Sequence, residues 1–531
     1  MSKKLFFNQE ARKKLQIGID LAANAVGSTL GARGKGVIIA PGYGHMPIVT
    51  KDGVTVAKSI FIDDEVENVG VMMIRSASQK TVDDAGDGTT TSAVLAQSMI
   101  TAGLDAIEKE GTNTQAVKAG IELAVNAIVE ALKSISIPVK DNDTLKSVAT
   151  ISANNDELIG SKIAEAYEKI GKNGILTIER SHTVDTYVTV MEGSEMVRGY
   201  SNDKFVTNQA KMTVEYDNPL IMVIDYEIHT IKELIPLMED FSKVYDFRNQ
   251  PLIIIARGFD GEPHNTMVVN KLKNGAKVCL IEAPNAYQKE ALIDIATLTG
   301  ATLIEDAMGL KPEHSRVIHL GSCKRIVVSK TSTLIIEGGG EKASIEELKS
   351  SIQKIIDESE GNLQKKDIYE RRLARLSGSI GVIYVGGATD LEQKERHDRV
   401  DDANRAVKSA IEEGIVPGGG VALIRAVENS TYLNVSVDMK IGIDIVVKAC
   451  YAPLKKMLSN AGEDVEKVFD NVSRQGGNNG FNIKTGEYVD MIAANIIDPT
   501  KVVRCALQNA ASVAGQIINS DVLLVEMKPT A

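Results

Sequence analysis

PLIMVIDYEIHTIKELIPLMEDFSKVYDFRNQPLIIIARGFDGEPHNTMVVNKLKNGAKVCLIEA, residues 219–283, sets three short apolar runs between two amphipathic stretches. The runs PLIMVID (219–225), PLIIIA (251–256) and KVCLIEA (277–283) are rich in branched residues. A fourth, ATLIED (301–306), follows the helical pattern QKEALIDIATLT. Strands alternating with helices predict a parallel sheet with helical cover. An α/β domain over about residues 192–387 is therefore expected.

On both sides of this region the chain turns helical. Leu15, Ile19, Ala22 and Val26 recur at helical spacing, as do Leu95, Met99, Ala102 and Ala106, and Val117, Ile121, Ala124 and Ile128. Pro138 should end the helix before it. GARGKGVIIA (31–40) reads as a glycine-rich turn entering a strand, and TKDGVTVA (50–57) as a turn between extended pieces. After Asp390 the helical pattern returns through VALIRAVEN and DIVVKACYAPLKKMLSNAG. Helical ends around an α/β middle predict that the middle is inserted into a helical domain. The charged stretch 341–378 reads as a solvated helical pair packed on the α/β domain.

Composition narrows the function. At roughly 150 residues per domain, 531 residues suggest about three domains. The net charge of −11 and pI near 5.4 argue against binding nucleic acid through a net basic surface. Four scattered cysteines form no metal-ligand or disulfide pattern and fit a reducing cytosol. The start, MSKKLFFNQEARKK, has no secretory apolar core, and no apolar run is long enough to span a membrane. A cytoplasmic protein without nucleic-acid or membrane partners is the expectation.

The sharpest chemical signal is GDGTTT (86–91), directly before the helical run SAVLAQSMITAGLDAI. Small residues at a helix start expose amide donors where the macrodipole favours negative charge. Asp87 could hold magnesium against bound phosphates; a capped helix with an Asp-Gly turn is the other reading. PGGGVALIRA (417–426) is a second glycine-rich helix entry, explained by a turn or by close approach of a ligand. Asp52 and Asp402 are further candidates, though an Asp-Gly turn or a solvated helical aspartate needs no catalytic role. No Walker P-loop, GxSxG or HExxH is present.

TKDGVTVAK, DDAGDGTTTSAVLAQ, TISANND, EGIVPGGGVALIR and IIDPTKVVRCALQNAASVAG, in this order, strongly resemble the group I chaperonins, the GroEL family. The likeness runs from about residue 5 to about residue 522. It implies a multidomain chaperonin fold: a mainly α equatorial domain (1–134 and 413–531), a small α/β intermediate domain (135–191 and 388–412) and an inserted α/β apical domain (192–387). It also implies an ATP-dependent chaperonin that captures non-native proteins and folds them in a ring cavity. The rings would be heptameric and homo-oligomeric, single or double, possibly closed by a co-chaperonin lid.

Residue roles carried over by matching motifs follow. Asp87 would hold Mg2+, while Gly88, Thr89, Thr90 and Thr91 bind phosphates of ATP. Thr29, Leu30 and Gly31 would border the nucleotide, and Lys51 would sit near the phosphates, where K+ is also expected. Asp52 and Asp402 would be catalytic, orienting and activating water. Gly419, Asn482, Ile483 and Asp498 would meet base and ribose. Tyr200, Phe205, Ile235, Met238, Val268 and Val269 would bind clients, and Pro138, Gly193, Gly386 and Gly414 would be hinges.

The chain also departs from the family's pattern. Lys204 and His264 stand at normally apolar capture positions, PNAYQKEAL (284–292) lacks a glycine-phenylalanine-glycine turn, and the tail VLLVEMKPTA lacks glycine-methionine repeats. Pro417 precedes the glycine triplet where a small residue is common. These changes imply a divergent member, specialised or carried by a mobile genetic element, with a narrower client range or altered lid partner. A nucleotide-regulated scaffold is the alternative function. An ATP-dependent transferase is a third, without a second constellation to form its acceptor site.

Overall fold

The computed structural model describes residues 3–40, 47–108, 112–139, 141–153, 156–171, 174–181, 183–209, 211–284, 288–358, 368–369, 372–373, 375–376 and 378–526. The chain divides into two compact units: Met1–Glu165, Arg180–Tyr187 and Val385–Ala531 form one, Ala166–Glu179 and Val188–Tyr384 the other. Both chain ends thus build one unit and the middle builds the second, as the helical flanks predicted.

The first unit is mainly helical and is built around a large apolar core. Helices Asn8–Gly27, Glu65–Ala85, Thr89–Ile107, Thr114–Ile135, Val437–Ala461 and Thr500–Ile518 supply it. Ile19, Val26, Leu95, Met99, Ile121, Ile128 and Ala510 are buried there, so the periodic positions face inward. Thr114–Ile135 ends before Pro138, which has no amide hydrogen to continue it. Strand Lys3–Phe7 pairs antiparallel with Val522–Glu526, tying the two chain ends together. Val37–Ile39 pairs with Ile48–Thr50 in a second small sheet.

One expectation fails here. TKDGVTVA is not a turn between extended pieces, because Gly53–Ser59 is a helix. The Asp52 carboxylate accepts hydrogen bonds from the amides of Val54 (3.1 Å) and Thr55 (2.9 Å) and from the Thr55 hydroxyl (2.5 Å). This N-cap satisfies the amides of Val54 and Thr55, the Val56 amide donates to the Asp52 carbonyl oxygen, and Val56 is buried in the core.

The second unit contains the predicted parallel sheet. Leu220–Ile228 pairs in parallel with Leu252–Phe259, which pairs in parallel with Val278–Glu282. Leu303–Ile304 joins the other side of Leu220–Ile228. Gly321–Val328 and Thr333–Gly338 extend the sheet antiparallel toward Tyr187–Met196. Helices Ile235–Val244, Gly261–Asn274 and Gln288–Thr299 pack on it, burying Leu237, Phe241, Met267 and Leu292. The expected charged pair begins with helix Lys342–Glu358; Ile352 and Ile356 pack with Leu376, and Arg372 grips Asp294 at 2.7 and 2.8 Å.

All four cysteines are buried and free. Among the described residues, no helix is long and apolar enough to cross a membrane.

Candidate functional site

The site grows from one helix start. Gly86 ends Glu65–Ala85 with φ +78°, and Gly88 begins Thr89–Ile107 with φ +87°. No side chain caps that N-terminus, so its amide donors remain available to an anion. Asp87 accepts the Gly88 amide at 2.5 Å. The Ser78 hydroxyl donates to the Thr89 carbonyl oxygen at 3.1 Å and fixes the first turn.

Two other segments close on this turn. A β-carbon on Gly53 would lie 2.4 Å from Thr90 Oγ1 and 2.8 Å from Thr89 Oγ1, so only glycine lets the Lys51–Asp52 segment approach. Lys51 and Asp52 are exposed beside it. Thr29 Oγ1 lies 3.4 Å from Thr90 Oγ1. The turn continuing through Leu30 and Gly31 is held by Asn460, whose Nδ2 donates to the carbonyl oxygens of Gly27 and Leu30 at 2.9 Å each.

Half-buried carboxyls converge on Asp87. Burial, with Asp52 nearby, holds Asp87 above the usual carboxylate range, opposed by the Gly88 amide and the Ser152 hydroxyl. Burial and then the charges of Asp87 and Asp52 push Asp402 up to about 8. Burial and Asp87 push Asp498 up to about 7. Asp402 stands on helix Asp390–Glu413, and Asp498 on strand Ile497–Pro499 opposite Val416. Like charges placed this way disfavour one another's ionised forms.

The remaining nucleotide candidates lie on one wall. Gly419 and Gly420 have φ of +65° and +77°, and a β-carbon on Gly420 would strike the Leu454 backbone nitrogen at 2.9 Å. The turn alone therefore accounts for these glycines. Ile483 is buried with Val421 and Met491, while Asn482 is half-buried, its Oδ1 accepting the Lys484 amide. Strand Asn479–Asn482 pairs with Glu487–Asp490, and buried Arg425 anchors the chain leading into it: its guanidinium donates to the carbonyl oxygens of Val472, Gly477 and Asn479 at 2.7, 2.7 and 3.0 Å.

Sequence reasoning assigned no role to Ser152, although it lies in the quoted TISANND run, or to Arg405, three residues after Asp402. Residues Asn154 and Asn155 of that run lie outside the described residues.

In the second unit the client candidates separate. Ile235 and Val269 are exposed, and Met238 and Val268 half-buried. Tyr200 and Phe205 must be reassigned: they are core residues, 7% and 0% exposed, with no surface to offer a client. The His264 ring stands edge-on to Phe205 at 6.0 Å, while Lys204 is exposed. Exposed Val244 and Leu272, on the same two helices as Ile235 and Val269, escaped the sequence reading. A cavity of about 490 Å3 is lined by Met238, Val244, Tyr245, Phe247 and Asn270, among others. Residues 285–287 of PNAYQKEAL and 527–531 of the tail lie outside the described residues.

Gly386 and Gly414 lie at element ends, and Pro138 follows the bridge between Ile137 and Ile415. Gly193 does not: it sits within strand Tyr187–Met196 opposite Ile336, where a β-carbon would lie 1.9 Å from Ile380 Cδ1. Its glycine is explained by packing rather than by dihedral freedom.

This fold agrees with comparison to known proteins. Residues 22–528 match the TCP-1/cpn60 chaperonin family. The chain belongs to that family. Solved structures with the same fold include two crystal forms of the chaperonin gp146 from the bacteriophage EL 2 (Pseudomonas aeruginosa), obtained in the presence of ATP-BeFx. Each is 22% identical and covers 99% of both chains, with TM-scores of 0.72 and 0.66. The inserted α/β middle is thus a feature of the chaperonin fold, with both chain ends building the helical unit.

Proposed function

We propose that this chaperonin is an ATP-driven folding machine whose hydrolytic site is the turn Gly86–Thr91 with Asp52, Asp87, Asp402 and Asp498. The observation that carries this reading is the convergence of those carboxyls on an uncapped helix start. The presence of ATP-BeFx with the chaperonin gp146 supports it.

The donor set fits magnesium. Among the described residues no three acidic, histidine or cysteine groups gather as a complete metal site. Magnesium keeps several waters and takes one or two carboxylates plus substrate phosphates, and Asp87 beside the Gly88–Thr91 helix start offers one such carboxylate. Asp87 is its ligand in this reading, and the ion supplies neutralisation of phosphate charge. Thr29 and Thr90 offer neutral oxygens of the kind potassium takes.

ATP places its phosphates on the amides and hydroxyls of Gly88 to Thr91, with Lys51 alongside and Gly419, Asn482, Ile483 and Asp498 toward base and ribose. Asp52 orients water. The water oxygen bonds to the γ-phosphorus as the bond to the bridging oxygen breaks, its electron pair leaving with ADP. The water proton passes to Asp402, whose carboxyl would be ionised once a bound cation offset the charges of Asp87 and Asp52, and then to phosphate.

Asp402 lies on a segment assigned to the intermediate domain (135–191 and 388–412), between the equatorial (1–134 and 413–531) and apical (192–387) domains. Hydrolysis thereby reports domain closure, with Pro138, Gly386 and Gly414 as hinges. Ile235, Met238, Val268 and Val269 form the client surface, joined by Val244 and Leu272. Burial of Tyr200 and Phe205 beside exposed Lys204 supports a narrow client range. Exposed Leu5, Phe7, Val522 and Leu524 on one small sheet, and Ile38 and Val49 on the other, support self-association. We take the assembly to be a heptameric ring in the cytoplasm, with or without a co-chaperonin lid.

The test is refolding of a chemically denatured client. Recovery that requires hydrolysable ATP supports the folding machine. Nucleotide-controlled client binding without recovery would favour the scaffold reading.

A further inference from the structure

Helix Asp390–Glu413 brings a second charged group to the phosphate turn. Gly86 lies against the stem of Arg405: a β-carbon on Gly86 would fall 2.2 Å from Arg405 Cβ and 2.9 Å from its Cδ. The Ser409 hydroxyl, one helical turn further along, donates to the Ala85 carbonyl oxygen at 2.8 Å. The helix is therefore fixed with Arg405 crossing the first residue of the Gly86–Thr91 turn. Its side chain remains 44% exposed and its guanidinium pairs with Asp401 at 2.5 Å. Asp402, three residues earlier, shares its helix face.

The site lacks positive charge for the reaction assigned to it. The charges of Asp52 and Asp87 act on Asp402, and that of Asp87 on Asp498, and Lys51 is the one basic residue that the sequence reading placed near the phosphates. In phosphoryl transfer the departing γ-phosphoryl spreads negative charge over its equatorial oxygens, and a planar guanidinium matches two of them at once. The pair with Asp401 is solvent-exposed, so breaking it costs little.

We propose that Arg405 is a catalytic residue of this site: its guanidinium leaves Asp401 and neutralises the γ-phosphoryl oxygens as the bond to the bridging oxygen breaks. Arg405 moves no proton, since it is charged before and after the step. The proposal rests on the ATPase reading above. It assigns Asp401 the role of holding the guanidinium beside the turn until nucleotide arrives.

The experiment is single-turnover ATP hydrolysis on the full chain, with ADP and ATP affinities measured in parallel, for the parent, Arg405→Met and Arg405→Lys. Methionine keeps a stem against Gly86 and removes the charge. The expected result is an Arg405→Met variant that binds ADP within about threefold of the parent but hydrolyses ATP about 10²-fold more slowly, with Arg405→Lys between the two. Its preference for ATP over ADP should also fall. Hydrolysis by Arg405→Met at the parental rate, with ADP binding intact, overturns the proposal. If Arg405→Met loses ADP binding altogether, Arg405→Lys decides: a rate lowered about tenfold supports the guanidinium role, and an unchanged rate overturns it. A parent that binds no nucleotide removes the ATPase reading itself, an outcome distinct from either of these.

Discussion

The Ser409 hydroxyl donates a 2.8 Å hydrogen bond to the carbonyl oxygen of Ala85, joining the helix that carries Asp402 to the residue before Gly86. Ser409 is 3% exposed, so the bond is shielded from water. Ser409→Ala should cost about 1 kcal/mol of stability and leave the Ala85 oxygen short of a partner. Because the bond sets the distance between Asp402 and the phosphate turn, kcat should fall while ADP affinity holds. Steady-state kinetics beside ADP titration check this.

Asp402→Ala should bind ATP and hydrolyse it about 10²–10⁴ times more slowly, the usual loss when a positioned base is removed. Turnover within a few-fold of the parent would contradict the assignment. Nucleotide affinity, read by calorimetry, separates lost chemistry from lost binding.

Asp498 carries a pH signature. Its carboxyl titrates near 7 in the folded chain against 3.8 ordinarily, because burial and Asp87 disfavour the charge. The folded state therefore holds a proton that the unfolded state has released. That contribution to stability is complete below about pH 4 and is lost as pH rises through 7. In metal-free, nucleotide-free buffer, Asp498→Asn should gain thermal stability relative to the parent between pH 5 and pH 8, measured as the difference in midpoints. A constant difference across that range would exclude the raised carboxyl.

Gly442 lies against Gly120 where helices Val437–Ala461 and Thr114–Ile135 cross. A β-carbon on Gly442 would fall 2.1 Å from the Val117 carbonyl oxygen and 2.8 Å from the Ile121 nitrogen. Backbone cannot yield as a side chain does, so the helix propensity gained by alanine is outweighed. Gly442→Ala should destabilise by about 1–3 kcal/mol, read from denaturant midpoints.

Light scattering without nucleotide, with ADP and with ATP should give a ring mass of about seven or fourteen subunits. Replacing Phe7 and Leu524 together with serine should shift the particle toward monomer, since both side chains are exposed on one small sheet. A monomer for the parent in every state would remove the enclosed chamber and leave the nucleotide site standing.

The sequence by itself determined the inserted α/β middle, the helical ends and the turn Gly86–Thr91. Those signals are local: branched apolar runs mark strands at 220–228 and 252–259, period-3.6 patterns mark helices, and adjacent glycines mark a tight turn. What depends on distant backbone was decided by tertiary structure. Only packing turned Lys51–Gly53 toward Thr89 and Thr90 and laid Arg405 across Gly86. Tyr200 and Phe205 show the same limit from the other side. An aromatic residue reads alike at a core position and on a capture face, and only the neighbours that bury it tell the two apart.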